Sequence, residues 1–307
     1  MATEAAHILF RVQVRSVTRL TPSFLRITFT GEELRWFADN GDDQRIKVVL
    51  PGPDGALLQP PPAEENWYTH WLALPEDRRN PMRTYTVRAA RPEQQEVDVD
   101  FVLHGDGGPA SRWAGTAVAG DAVQLLGPNR RHPGSTRAVG WNPPPEESTL
   151  LIAGDETALP AVASILEGLP PTARGTVLIE VPEPDDVLEL PGPTGVTVEW
   201  ITRDGDEHGV RLSAAVRRVA GRLLPPAPPA PVTGRLESAQ DDLPESAEED
   251  LWDVPEPADR PIAAPVYAWL AGEAGCIAGL RRHLVRDLGL DRRAVAFMGY
   301  WRHGTAG

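Results

Sequence analysis

The sequence predicts a small six-stranded antiparallel β barrel followed by an α/β domain on a parallel sheet. Three observations carry this. Period-two alternation dominates the chain up to Gly127. From Thr149 onward, continuous apolar runs alternate with helical patterns. Proline and glycine, 32 and 28 of 307 residues, make up about a fifth of the chain against about 12 % in an average domain, so turns are frequent. At roughly 150 residues per domain the length predicts two domains, and the division is placed between residues 1–146 and 147–307.

Residues 8–17 alternate, with Phe10, Val12 and Val14 on one face and Arg11, Gln13 and Arg15 on the other. Strands are expected over 25–30, 46–50, 83–89, 97–104 and 122–126, with turn residues between them, as in a small barrel. The segment 51–79 reads as a long loop rich in proline and tryptophan. In the second half, 149–153 is a continuous apolar run of the kind found in a buried parallel strand. The turn Gly154-Asp-Glu-Thr157 leads to a helix over 161–168. Strands follow over 176–181 and 196–201, then a helix over 212–224, a strand over 266–271, a helix over 274–288 and a strand over 295–300. The helix over 274–288 places Ile277, Leu280, Leu284 and Leu288 on one face. Alternating strands and helices mean βαβ units on a parallel sheet.

The net charge of −14 argues against nucleic acid and anionic membranes as partners, since both need a positive field. The charge is uneven. Residues 235–260 carry ten acids and two arginines, −8 of the −14, which leaves −6 for the rest. This segment and the proline tract 225–231 offer little apolar surface to offset ordering entropy. Residues 225–262 therefore read as an inserted disordered spacer, or as an acidic contact for a basic partner around Leu251-Trp252. The single cysteine, Cys276, excludes an intramolecular disulfide and cysteine-based zinc or iron–sulfur sites; it reads as a small core residue. No metal site is expected. No apolar run reaches about 18 residues, so no membrane span is expected. The start, Met1-Ala-Thr-Glu, has no signal-peptide pattern, and a cytoplasmic location is expected.

Two motifs carry chemistry. In Arg83-Thr-Tyr-Thr-Val-Arg88, alternate residues share a face: an arginine can grip a phosphate, a tyrosine can lie on a flat ring, and a nearby hydroxyl can bond a ring nitrogen. In Asp98-Val-Asp-Phe-Val-Leu-His104-Gly105, followed by Gly107-Gly-Pro-Ala-Ser111, a glycine-rich turn enters a short helix at Pro109, a favoured first-turn residue. The N–H groups of Ala110 and Ser111 then face an anion such as a diphosphate. By contrast, Gly154-Asp-Glu-Thr157 is not the G-x-G-x-x-G of a dinucleotide fold. Asp155 and Glu156 suit a helix dipole and repel a phosphate.

Together with Gly127-Pro-Asn, Ala153-Gly-Asp-Glu-Thr-Ala-Leu-Pro-Ala161, Trp269-Leu-Ala-Gly-Glu273 and Gly299-Tyr-Trp-Arg-His-Gly304, these motifs make the chain resemble the siderophore-interacting protein family, a branch of the ferredoxin–NADP reductase superfamily. The resemblance spans residues 8–304 apart from 225–262. It implies a flavin-binding barrel, a Rossmann-like nucleotide domain, and reduction of ferric siderophores with FAD as electron carrier. By the same resemblance, Arg83 meets the FAD diphosphate, Tyr85 lies on the isoalloxazine and Thr86 bonds near flavin N5, with Val87 and Arg88 adjoining. Asp100, Phe101, Val102, Leu103, His104 and Gly105 line the ribityl and adenine side. Pro109, Ala110 and Ser111 cap the diphosphate, and Tyr300 and Trp301 close over the flavin. Asp155, Thr157 and Ala158 serve the nicotinamide nucleotide, NADH or NADPH, with NADH favoured by the lack of a basic cluster for a 2′-phosphate. Ferredoxin is a further candidate donor. Lys47, the chain's only lysine, Arg130 and Arg302 are the basic candidates for an anionic ferric siderophore. Two alternatives stay open: a flavin or ferredoxin-type reductase with no siderophore, and a non-enzymatic carrier of ferric siderophore.

Overall fold

A computed structural model gives the fold and describes residues 5–59, 67–103, 108–134, 139–144, 148–224, 252–253 and 264–304. The first half forms a curled antiparallel sheet of β1 (His7–Arg19), β2 (Phe24–Thr30), β3 (Arg45–Val49), β4 (Met82–Thr86), β5 (Ala89–Arg91), β6 (Glu96–Val102) and β7 (Ala122–Pro128), in the order β4-β3-β7-β1-β2-β6-β5. Its edges, β4 and β5, are consecutive in the chain. Six strands were expected and seven are found, because the segment 83–89 splits at Val87. There the Val87 N–H donates to Gln44 O, on the β3 side, and the Arg88 N–H to Asp98 O, on β6. The chain thus crosses from one edge to the other and nearly closes the barrel. Phe10, Val12 and Val14 point into its core, as the alternation predicts, while Arg11, Gln13 and Arg15 are exposed.

The segment 51–79 is not all loop. It contains α1 (Trp67–Ala73) and a 3₁₀ turn at Glu76–Arg78. Tertiary anchors hold it: Trp71 Nε1 donates to Asn80 O at 2.9 Å, and the Arg79 guanidinium lies 4.9 Å from the Trp71 ring. A short helix, α2 (Pro109–Thr116), sits between β6 and β7.

The second sheet contains β8 (Thr149–Gly154), β9 (Gly175–Val181), β10 (Val196–Thr202), β11 (Trp252–Asp253), β12 (Val266–Glu273) and β13 (Val295–Trp301), in the order β10-β9-β8-β12-β13-β11. The first five run parallel, and β11 pairs antiparallel with β13. Two residues of the stretch read as a disordered spacer therefore extend the sheet; the rest of 225–262 lies outside the described residues. The helices α3 (Leu159–Gly168), α4 (Val210–Leu223) and α5 (Ala274–Arg282) cover the sheet. The helix expected over 274–288 is regular only to Arg282. It widens into a π turn at His283–Asp287, where Leu288 N–H donates to His283 O.

The two halves share a core. Phe24 and Val102 of the barrel lie in the same apolar cluster as Ile152, Leu159, Trp269 and Met298. Around it, buried carboxylates tie loop to loop. Asp186, fully buried, accepts from Thr21 Oγ1 (2.7 Å), Ser23 N (2.8 Å) and Ser23 Oγ (2.8 Å). Asp43, also fully buried, accepts from Gly140 N and Trp141 N at 2.8 Å and from Trp269 Nε1 at 3.3 Å. Replacing Asp186 by Ala strands the donors of Thr21 and Ser23 and is expected to cost about 2 kcal/mol. Denaturant unfolding measures it, and a loss below about 0.5 kcal/mol, the range of ordinary surface substitutions, contradicts the assignment.

Candidate functional site at the seam

On β4, register sets two faces. Arg83 and Tyr85 stand opposite Val48 and Ile46, whereas Thr84 and Thr86 stand opposite Lys47 and Arg45. Tyr85 packs inward, its ring 4.3 Å from Phe101, and Phe101 lies 5.9 Å from Trp113 on α2. Ser111 Oγ donates to Val102 O at 3.2 Å. These contacts bring β4, the end of β6 and the first turn of α2 together. Helix α2 starts after Gly108 with no side-chain cap, and its Arg112 N–H bonds Gly108 O. The N–H groups of Ala110 and Ser111 are first-turn donors without intrahelical partners. Arg83 is half-buried, and desolvation lowers its pKa. No carboxylate among the described residues pairs with it; its guanidinium donates to Met82 O at 2.8 Å. A desolvated arginine, an uncapped helix start and aromatic rings suit a ligand with a diphosphate and a flat ring.

Other expected residues act through packing or are already paired. Val87, Phe101 and Val102 are core side chains. The Asp100 carboxylate takes a bidentate bond from Arg26 at 2.7 and 2.8 Å. Arg88 pairs with Glu167, and Leu103 N–H donates to Ser23 O. Strand β6 is buried on both faces, so its side chains are consumed by the barrel and the seam. His104 and Gly105 lie outside the described residues, as does Gly107.

Across the seam, the buried Thr86 faces the Tyr300 hydroxyl, whose pKa is pushed up chiefly by burial. Arg45, registered opposite Thr86, sits near both Tyr300 and Asp43. Sequence reasoning did not single out Arg45 or Asp43. The polar run Asp42-Asp43-Gln44-Arg45 entering a strand was the available signal.

At the carboxyl ends of the parallel strands, Asp155 accepts from Thr157 N (2.9 Å), Glu273 N (2.8 Å) and Trp301 Nε1 (2.9 Å). Burial, reinforced by the charge of Glu156, pushes its carboxyl up to about 6. Arg203 takes both oxygens of the buried Glu156 at 2.6 and 2.8 Å. Burial opposes charge on Glu156, but the bonds from His208 and Arg203 prevail and hold it down to about 2. His208 Nε2 lies 3.5 Å from an oxygen of each acid, and its ring meets Trp301 edge to face at 4.8 Å. Donor atoms of Asp155, Glu156 and His208 lie within 4.8 Å of one another. Because Arg203 occupies Glu156, the group is an internal ion network. Glu180, inside the strand expected over 176–181, is fully buried and accepts from Gly209 N (2.9 Å) and Leu212 N (3.0 Å) at the start of α4. Thr157 adjoins this network, and Ala158 is buried beneath it.

The three basic candidates lie on separate elements. Lys47 Nζ donates to Thr84 Oγ1 at 2.7 Å. Arg130, just after β7, donates to Arg35 O (3.2 Å) and Glu93 (3.3 Å) beside an open cavity lined by Phe37, Asp39 and Pro92. Arg302 is exposed just after β13.

Arg203→Met leaves Glu156 as a buried charge with a weaker partner and is expected to destabilise the protein by about 3 kcal/mol. The ionised Glu156 stabilises the fold above its unfolded pKa near 4.5, and this is lost as pH falls toward about 2. Unfolding measured across that interval should lose this slope in the variant; an unchanged slope contradicts the pairing.

Comparison with known proteins identifies the family. Residues 13–132 match the siderophore-interacting FAD-binding domain and residues 147–304 the siderophore-interacting protein family. The chain is 30% identical over 285 residues to the ferric vibriobactin reductase ViuB of Vibrio cholerae, covering 93% of this chain and 86% of that protein. It is 31% identical over 203 residues to an NADPH-dependent ferric-chelate reductase of Escherichia coli, covering 65% of this chain and 74% of that protein. The siderophore-interacting protein SipS of Aeromonas hydrophila superposes with a TM-score of 0.65 at 31% identity, over 98% of this chain and 94% of the other. With the family model matched over residues 147–304 and a relative 30% identical across 93% of the chain, the chain belongs to the siderophore-interacting protein family.

Proposed function

We propose that this protein is an FAD-dependent oxidoreductase that reduces ferric siderophore and releases Fe(II), with NAD(P)H as donor. The observation that carries the reading is the meeting of the two sheets at Thr86 and Tyr300, where a ring held by the barrel would face a nucleotide held by the parallel sheet. FAD, when bound, would supply the redox chemistry that links a two-electron nicotinamide donor to one-electron reduction of Fe(III).

The protein's own residues bind, orient and shield. Arg83 and the N–H groups of Ala110 and Ser111 hold the diphosphate of FAD. Tyr85 and Thr86 border its ring on the barrel side, and Tyr300 covers the seam from the other sheet. Trp301, fixed by Asp155, keeps water from the carboxyl ends of β8 and β12. Lys47, Arg130 and Arg302 offer positive charge to an anionic chelate whose oxygen donors hold Fe(III) better than Fe(II).

The acids on the carboxyl edge sharpen the donor. Glu183, Asp185, Asp204, Asp206 and Glu207 are exposed there, Arg211 pairs with Asp204 and Asp206, and Arg203 is held by Glu156. This charge disfavours a 2′-phosphate and an acidic ferredoxin, so NADH is the proposed donor. Among the described residues no helix is long and apolar enough to cross a membrane; a cytoplasmic setting is part of the proposal. The buried acids Asp155 and Glu156 in the nucleotide crevice favour one second reading, a carrier that binds ferric siderophore without turnover.

The purified protein is expected to be yellow and, under anaerobic conditions, to turn over NADH faster than NADPH, in both cases beyond one equivalent per flavin only with a ferric chelate present. Arg83→Ala should weaken FAD binding about tenfold or more, the equivalent of one charge-assisted hydrogen bond. Lys47→Ala should raise KM for a ferric tricatecholate about fivefold with kcat little changed, the signature of lost uniform binding. Protein that takes up no FAD on refolding with it contradicts the proposal. Flavoprotein that reduces no ferric chelate leaves the carrier reading.

A further inference from the structure

Strand order reverses between β8 and β12. A doubly wound sheet binds a dinucleotide in the crevice outside the carboxyl ends at that point, its diphosphate on the N–H groups opening the next helix. Here a side chain already stands in that place. Asp155 follows the last residue of β8. Its Oδ1 accepts from the N–H and hydroxyl of Thr157, at the opening of the helical run. Its Oδ2 accepts from Glu273 N at the end of β12 and from Trp301 Nε1 at the end of β13. The backbone closes tightly around it. At Gly272, with φ +145, an added Cβ would come within 2.5 Å of Asp155 Oδ2. The carboxylate is fully buried and bridges three strand ends.

We propose that Asp155 is an internal anion that competes with the diphosphate of the nicotinamide donor for the switch-point N–H groups, so that its charge sets how tightly the donor binds. The inference rests on the reading of this crevice as the NAD(P)H site. Asp155 is a positioning residue; its hydrogen bonds hold Trp301 and Thr157.

The charged surroundings make the competition strong. From its own turn comes Glu156; from β9, Glu180; from β10 and the loop after it, Arg203 and His208; from β12 and α5, Glu273 and Cys276; from β13, Tyr300 and Trp301. Arg203 is spent on Glu156 and Glu180. Glu156 stays charged throughout the neutral and mildly acid range, since it is held at about 2. Burial pushes the Cys276 thiol up to about 11 and raises Tyr300 further, so both stay neutral. The groups left to titrate are Asp155, pushed up to about 6, and His208, raised because its bond to Glu156 and the nearby acids outweigh desolvation. As pH falls, Asp155 loses a negative charge and His208 gains a positive one. Both changes favour an anionic ligand.

The test is calorimetric titration of the FAD-loaded protein with ADP-ribose, whose diphosphate charge is constant between about pH 8 and about pH 5.5, a span that brackets the Asp155 titration. The expected result is a Kd that falls about fivefold or more across that span. Asp155→Asn should bind more tightly than the unmodified protein at the alkaline end and keep only the smaller slope that His208 supplies. His208→Gln should keep the larger part of the slope. Binding that does not vary with pH overturns the inference, as does a slope lost in His208→Gln but kept in Asp155→Asn. If Asp155→Asn fails to fold, the slopes of the unmodified protein and of His208→Gln still decide. Absence of ADP-ribose binding by every protein at every pH overturns the donor reading itself, and the inference with it.

Discussion

The dry core shared by the barrel and the parallel sheet fixes the rest of the molecule. Phe24 and Val102 sit among side chains of β8, α3, β12 and β13, and burying one such aromatic is worth about 1.5–3 kcal/mol. That contact sets the distance between the sheets. It also excludes water, so each polar group near it needs an internal partner. Asp43 and Asp186 meet that need for the loops on either side. The relation of Thr86 to Tyr300, and of Arg45 to both, follows from where this core holds β4 and β13.

The same low-dielectric setting explains the divergent behaviour of neighbouring acids. Glu156 has a bidentate arginine and stays ionised well below the usual range. Asp155, one residue earlier, has hydrogen-bond donors but no arginine, and burial next to Glu156 raises it. Two adjacent carboxylates thus occupy opposite ends of the carboxylate range. Of these two acids one is therefore a fixed charge and the other titrates near pH 6.

Much of the fold was legible in the sequence because periodicity reports burial directly. Phe10, Val12 and Val14 alternate because one face of β1 is core. The run Thr149-Leu-Leu-Ile-Ala is continuous because β8 is buried on both faces. Tertiary features were not legible. The break between β4 and β5 depends on where Gln44 O and Asp98 O lie in space. The seven-residue α1 is held by Trp71 and Arg79 rather than by its own propensity, and β11 is only two residues long. At the site, the types and order of residues on β4 and α2 could be read, but not their partners. Asp100 is an anion in the sequence and half of an ion pair in the fold. Glu180 in Val177-Leu-Ile-Glu-Val181 was a visible anomaly, a charge inside an apolar run, and its explanation is the open start of α4.

In the proposed function, electron passage across the seam joins these features. Anaerobic stopped-flow mixing of the FAD-loaded protein with NADH, followed by a ferric tricatecholate, follows it most directly through the flavin absorbance. Full bleaching by NADH, and recovery of the absorbance only when the ferric chelate is added, is the expected result. Absorbance that stays unchanged with NADH and NADPH alike, in protein shown to hold FAD, would contradict it.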